Sequence, residues 1–257
     1  MNFFDRFEKD KLLIAHRGYS AKFPENTKIA FENALTYADI IEFDIILTKD
    51  KKVVAIHDEI LTRTSNVCEI YENRDSYLVY DFIYDELLSL DFSAWFDKDI
   101  PLQKIMLLDE VLEFSKEHNI PLNIEIKDMK ETSFDKICIF EIYKIINRHK
   151  MADKVLISSF NHIYLEQIKQ INKNISIAAL FEKTNEYNLL RYLKYLDVDA
   201  YHINSSLIEE DKIKKLIAEN IYTNVYTIND KKLSKKLFEI GIKAVFTDTN
   251  LNIKYNN

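Results

Sequence analysis

Glycine and proline are scarce, two and three residues in a chain of 257. Each of those five positions therefore carries unusual positional information, and no Pro/Gly-rich stretch marks a linker or low-complexity segment. Cysteine is equally rare. Cys68 and Cys138 lie far apart and match no metal-binding spacing, which implies two unpaired thiols in a reducing cytoplasm. The N-terminus, MNFFDRFEKDK, has no apolar core and is charged throughout, so it does not read as a signal peptide. No apolar run approaches membrane-spanning length, so no stable membrane insertion is expected. A basic block is also missing. Lys and Arg are interleaved with acids, the formal net charge is −7, and a general nucleic-acid binder is disfavoured.

What is abundant is apolar and aromatic. Hydrophobic residues make up 47%, with 16 Phe and 15 Tyr, enough for a sizeable core. From Pro121 onward the chain alternates strand-like and helix-like segments. Strands are predicted over Leu122–Lys127, Val155–Phe160, Ile175–Leu180, Ala200–Ile203, Ile221–Ile228 and Ala244–Thr247. Helices are predicted between them, over Ser133–Arg148, His162–Ile171, Tyr187–Tyr195, Ile208–Ala218 and Lys231–Ile240. Earlier, Leu12–Ala15 reads as a buried strand, and Asn26 or Thr27 as the N-cap of a helix through Leu35. Another helix is predicted over Asp109–His118, and a second strand starts at Ile41. Eight βα units predict an α/β fold, a closed (β/α)8 (TIM) barrel, as one unit over residues 1–257. Residues 59–105 fall outside the rhythm. They read as an insertion after the second strand, with short helical pieces near Asp81–Leu90.

The chain is organised around Ile41–Asp58, IEFDIILTKDKKVVAIHD. In a strand, residues i and i+2 share a face, so Glu42 and Asp44 project together. The second apolar run, Val53–Ile56, is left over from the barrel count and reads as the hairpin partner of the second strand, ending in His57. Its turn, Thr48–Lys51, lacks the Gly that best relieves a positive φ. Glu125 and Lys127 share a face on Leu122–Lys127 in the same way.

In such a barrel the C-terminal strand ends build the site. Those ends carry His16, Arg17, Glu42, Asp44, Glu125, Lys127, Ser158, Ser159, His202, Tyr226 and Asp248. Glu42, Asp44 and Glu125 form an all-oxygen set suited to a hard cation, Mg²⁺ or Ca²⁺. Arg17 and Lys127 are cations that a phosphate would satisfy. His16 and His57 are imidazoles able to take and give a proton. Together they fit cleavage of a phosphate ester. A lone acid beside a Lys is ordinarily a structural ion pair, and His118, His149, His162 and His202 read as scaffold. The weight rests on seven candidates gathered at the first three barrel strands and the hairpin.

These residues fall in ordered motifs: Ala15-His16-Arg17-Gly18, Pro24-Glu25-Asn26-Thr27, Glu42-Phe43-Asp44 with Thr48-Lys49-Asp50, His57-Asp58, Arg63-Thr64-Ser65-Asn66 and Ile124-Glu125-Ile126-Lys127. Weaker echoes follow at Ser158-Ser159-Phe160, Tyr226-Thr227-Ile228-Asn229 and Phe246-Thr247-Asp248. The set resembles the glycerophosphodiester phosphodiesterase family over nearly the whole chain. The resemblance implies a (β/α)8 barrel with an insertion after the second strand. It implies one divalent cation on Glu42, Asp44 and Glu125, His16 and His57 as catalytic acid and base, and Arg17 and Lys127 on the substrate phosphate. The implied reaction converts a small glycerophosphodiester to sn-glycerol 3-phosphate and an alcohol. The chain departs from the family pattern at Lys51, usually Gly, and at Tyr226, usually a Trp, which keeps an aromatic wall on the substrate pocket but changes its shape. It also lacks a Pro just before the helix at Leu108, and one after Thr247-Asp248. The alternatives are phospholipase C- or D-like cleavage of a larger phospholipid, and a non-catalytic barrel that binds phosphate esters.

Overall fold

The computed structural model describes residues 2–183 and 188–253. In chain order its elements are β1 (Leu12–Ala15), α1 (Lys28–Ala34), β2 (Ile40–Leu47), β3 (Val53–Ala55), α2 (Val67–Ile70), α3 (Tyr84–Leu87), α4 (Leu108–His118), β4 (Leu122–Ile126) and α5 (Cys138–Arg148). They continue with β5 (Val155–Ser159), α6 (His162–Ile171), β6 (Ser176–Phe181), α7 (Leu189–Leu196), β7 (Ala200–Asn204), α8 (Glu210–Ile217), β8 (Tyr222–Tyr226), α9 (Lys231–Glu239) and β9 (Ala244–Thr247). The sheet runs β1-β9-β8-β7-β6-β5-β4-β2-β3, and β1 also pairs with β2. That last pairing, Ile14 with Ile40 and Ala15 with Ile41, closes a parallel barrel from every strand except β3. β3 pairs antiparallel on β2, Ile45 opposite Ala55. The fold is therefore the (β/α)8 barrel with the hairpin outside it.

Strand residues alternate between two environments, as the pleat requires. Leu13, Ile41, Phe43, Ile124, Ile157 and Val245 pack with helix residues such as Phe31, Leu112, Ile142 and Leu165. Their neighbours Leu12, Ile14, Ile40, Leu156, Ala178, Ala200, Ala244 and Phe246 form a separate cluster inside the barrel. Continuing that inward parity toward the strand ends gives His16, Glu42, Asp44, Glu125, Lys127, Tyr226 and Asp248. The site is thus the upper layer of the barrel's own interior. Its floor at the opposite end is closed by Phe3 and Phe4, fully buried in that inner cluster, with the Phe4 ring 5.4 Å from Tyr222.

Residues 59–105 carry a small core of their own. Leu61, Val67, Val79, Phe82, Leu87, Leu90, Phe92 and Ile105 pack against Ile46, Val54 and Ile56 of the hairpin. The hairpin therefore presents one side to the barrel and the other to the insertion.

Several boundaries differ from the sequence expectation. The helix predicted from Ser133 begins at Cys138, because Thr132 holds the chain in a turn: its Oγ1 accepts from Phe134 N at 3.1 Å. The strand predicted over Ile221–Ile228 covers Tyr222–Tyr226. Within the insertion, the helical pieces expected near Asp81–Leu90 are a short 3-10 turn, Val79–Asp81, and α3, and α2 precedes them. Tyr187, the predicted start of the sixth-strand helix, lies outside the described residues, and α7 begins at Leu189. Thr27, not Asn26, caps α1, accepting from Ala30 N. Lys51 adopts φ 63°, the left-handed turn position for which its side chain is a poor fit.

Gly18 shows where glycine is obligatory. Its φ is 80°, and a Cβ there would lie 2.8 Å from Ala30 C and Cβ. Gly18→Ala is expected to cost about 1–3 kcal/mol of strain, read in calorimetry as a Tm fall of about 2 °C or more. An unchanged Tm would contradict this account of the β1–α1 turn.

Candidate active site

Each strand delivers its site residues by parity, and parallel pairing sets their height. Glu42 lies opposite Asn123, and Asp44 opposite Glu125. One carboxylate oxygen from each of Glu42, Asp44 and Glu125 lies within 4.8 Å of the other two. Glu42 and Asp44 are each only 1% exposed. Such close acids cannot all ionise freely in a dry site. Burial, then the Asp44 charge, pushes Glu42 well above the usual carboxylate range. Burial and Asp44 also raise Glu125, which Lys127 only partly offsets. Asp44 goes the other way: burial opposes its ionisation, but the charges of Lys127 and Arg17 and the Asn26 hydrogen bond hold it below the usual range. Glu42 Oε1 is buried with no hydrogen-bond partner. Three oxygen donors, one of them orphaned, with too much negative charge for the protein cations present, fit a hard divalent ion.

The two cations flank this set. Lys127 Nζ donates to Glu125 Oε1 at 2.8 Å and lies 3.6 Å from Asp44 Oδ1. Arg17, in the left-handed region at φ 56°, donates its backbone N–H to Glu42 Oε2 at 2.8 Å. Its guanidinium lies 3.4 Å from Asp44 Oδ2 and donates to Glu25 Oε1 at 3.0 Å. The atom facing Asp44 is Arg17 Nε, which is buried and makes no hydrogen bond, so its N–H remains a donor suited to an anionic oxygen.

Both imidazoles are oriented by a carboxylate on Nδ1. His16 Nδ1 sits 2.7 Å from Asp248 Oδ1, and Asp248 also accepts from Ser20 Oγ at 3.1 Å and Asn229 Nδ2 at 2.7 Å. Burial opposes the Asp248 charge, but these bonds hold its pKa below the usual range. Burial likewise acts to lower the His16 pKa, yet Asp248 and Glu42 outweigh it and leave it raised. His57 Nδ1 sits 2.6 Å from Asp58 Oδ1. Asp58 is held down to about 2, since bonds from Arg63 and His57 outweigh the cost of burial. An ionised carboxylate only accepts, so Nδ1 is the donor in each pair, and Nε2 is left to exchange a proton.

All seven candidates of the first three strands and the hairpin therefore meet at one barrel end. Tyr226 stands at the end of β8, half-buried. Its hydroxyl donates to Phe181 O at 2.7 Å, so it offers a ring, edge-on to Phe160 at 6.2 Å, rather than a free hydroxyl. A cleft of about 640 Å³ opens beside Glu125 and Lys127, walled by Phe160, His162, Leu180 and Phe181. The other histidines are tied into the scaffold: His149 to Asp109, His162 to Tyr192 and Leu180 O, His202 to Asn224, and His118 stacked on Phe114.

The sequence reading placed Asp248 at a strand end and Asp58, Glu25 and Asn26 in its motifs, but gave none of the four a role in the site. Asn26 binds Asp44 twice: its Nδ2 donates to Oδ2 at 3.0 Å, and its Oδ1 accepts from the Asp44 N–H at 3.2 Å. The available signal was parity for Asp248, which follows Ala244 and Phe246 inward, and adjacency to His57 for Asp58.

Comparison with known proteins bears on the family and the fold. A family model described as the glycerophosphoryl diester phosphodiesterase family matches residues 16–250. The glycerophosphodiester phosphodiesterase of Bacillus altitudinis is 32% identical, over 92% of this chain and 94% of that protein. That of Caldanaerobacter subterraneus is 28% identical, over 92% and 93%. A phosphodiesterase structure from Oleispira antarctica, in complex with the product sn-glycerol-3-phosphate, superposes with a TM-score of 0.84 at 27% identity, covering 94% of each chain. Among the described residues, no helix is long and apolar enough to cross a membrane.

Proposed function

Because the chain belongs to the glycerophosphoryl diester phosphodiesterase family, we propose that it hydrolyses small glycerophosphodiesters to sn-glycerol 3-phosphate and an alcohol, with His16 and His57 as acid and base. The observation that carries the reading is the convergence of two carboxylate-oriented imidazoles, two cations and three clustered carboxylates at one barrel end.

Arg17 and Lys127 bind and orient the phosphate, leaving its phosphorus between the two imidazoles. One imidazole Nε2 takes the proton of the attacking oxygen, either water or the substrate's own glycerol hydroxyl; in the second case water opens the resulting cyclic phosphate in a further step. The oxygen–phosphorus bond forms as the bond to the alcohol oxygen breaks, and the other imidazole gives that oxygen a proton. Glu42, Asp44 and Glu125 would hold Mg²⁺ or Ca²⁺. When bound, the ion adds positive charge beside the phosphoryl oxygens where negative charge accumulates. Phe160, Phe181 and Tyr226 wall the pocket for the alcohol. The free thiols Cys68 and Cys138 accord with a cytoplasmic setting.

The test is release of sn-glycerol 3-phosphate from glycerophosphocholine and glycerophosphoethanolamine with Mg²⁺, Ca²⁺ or EDTA. Metal-dependent release is the expected result. Faster cleavage of intact phospholipid in vesicles than of either soluble diester would replace this reading with the phospholipase one.

A further inference from the structure

Arg63 lies in the motif Arg63-Thr64-Ser65-Asn66, for which the reaction as described has no role. Its position is unusual. The side chain is 43% exposed and comes from the insertion, yet its guanidinium joins two separate parts of the site. Nε donates to Asp58 Oδ2, the carboxylate whose other oxygen holds His57. The remaining nitrogens grip Glu25 with both prongs, NH1 to Oε2 at 3.0 Å and NH2 to Oε1 at 2.7 Å. Glu25 Oε1 in turn accepts from Arg17 NH1 at 3.0 Å. The result is an unbroken run from His57 through Asp58, Arg63, Glu25 and Arg17 to Asp44. Trp95, from the far end of the insertion, sits with its ring 5.7 Å from the Arg63 guanidinium carbon.

We propose that Arg63 is a positioning residue through which the insertion holds His57, by way of Asp58, and Arg17, by way of Glu25, in register with each other. The inference rests on the reading of His57 as an acid/base group and Arg17 as a phosphate ligand. The physical argument is one of geometry. His57 arrives on the return strand of a hairpin, and Arg17 on a loop after β1. Among the described residues no backbone hydrogen bond joins those two segments. Two carboxylates, Asp58 and Glu25, need one planar donor able to face both. Arg has that fork; Lys, a point charge, does not. Arg63 is 43% exposed and screened by solvent, but Glu25 is only 12% exposed and gripped with both prongs, so the pair contributes modestly to stability. What Arg63 supplies is alignment, which is worth much more in rate.

The role divides between two kinetic parameters. Arg63→Gln is expected to lower kcat by about 10-fold or more, because the acid/base group is misaligned, and to raise KM severalfold, because Arg17 is less well held. Its Tm should fall by no more than about 4 °C, as for the loss of one partly exposed pair. Arg63→Lys should recover one of the two parameters but not both. Asp58→Asn/Arg63→Gln should lose no more kcat than Asp58→Asn, and Glu25→Gln/Arg63→Gln should raise KM no further than Glu25→Gln. A second readout needs no turnover. In ¹⁵N NMR of the imidazole, wild-type His57 should show one Nδ1–H tautomer, and Arg63→Gln a mixture. Unchanged kcat and KM in Arg63→Gln, fully additive double variants, or an unchanged His57 tautomer would each overturn the proposal. Wild-type protein inactive on every glycerophosphodiester would overturn the functional reading instead, with the tautomer signal still reporting on Arg63.

Discussion

Replacing His16 or His57 with alanine is expected to lower kcat by about 10²–10⁴-fold without unfolding the protein, because each loses a positioned proton transfer. Both rings have Nδ1 committed to an ionised carboxylate, so each has a single nitrogen for exchange. Neither can replace the other, since they approach from different strands. His16 follows β1 and His57 follows β3. The two roles separate by leaving group. An alkyl alcohol leaves poorly as an alkoxide and needs a proton, whereas a p-nitrophenol leaves readily without one. Activity on a p-nitrophenyl diester should therefore recover in one alanine variant only, and that variant identifies the acid. Equal recovery in both, or recovery in neither, would overturn the division of labour. His162→Ala is the control. Its nitrogens are occupied by Tyr192 and Leu180 O, and its loss should change kcat by less than either site histidine.

The second large effect concerns the carboxylate cluster. Metal removal with EDTA, or Glu42→Gln, is expected to abolish most activity. It should also leave a signature in stability. A carboxylate whose folded pKa lies above its unfolded value holds its proton more tightly when folded. The fold is then destabilised as pH rises past the ordinary carboxylate range. Burial and Asp44 put Glu42 and Glu125 in that position. The metal-free protein should therefore gain more from added Mg²⁺ or Ca²⁺ at pH 8 than at pH 5, where protons already neutralise the cluster and compete with the ion. At about 100 times Kd the ion stabilises by about 2.7 kcal/mol, a shift of several degrees in Tm. Glu42→Gln removes one of the repelling charges and one ligand, so its metal-free form should be less sensitive to pH and its Tm should respond weakly to the ion. A Tm that does not move with Mg²⁺ or Ca²⁺ at either pH would sink the assignment of this cluster as a metal site.

Much of this was legible in the chain because strand periodicity is local. Eight apolar runs separated by helical segments are enough for the barrel, and the i, i+2 spacing of Glu42 with Asp44 and of Glu125 with Lys127 puts each pair on one face whatever the rest does. The all-oxygen donor set and the two flanking cations follow from residue type. The hairpin also follows, since Val53–Ile56 exceeds the eight runs a barrel can hold.

Apart from Asp58, which adjoins His57 in the chain, the partners of these groups depend on how distant segments close on one another. Asp248 reaches His16 across 232 residues only because β9 pairs with β1 to seal the barrel. Arg63 reaches Glu25 and Asp58 only because the insertion has packed its own core on the outer face of the hairpin. Phe3 and Phe4, two apolar residues in a largely charged N-terminus, become the barrel floor once the strands curve around them. The burial that drives Glu42 up while Lys127 and Arg17 hold Asp44 down exists only in the assembled interior. Residue type and spacing decide which chemical groups point inward, since those are properties of a single strand. Which carboxylate orients which imidazole, and how strongly each acid is perturbed, are set by distance and by the exclusion of water, and only the closed barrel supplies both.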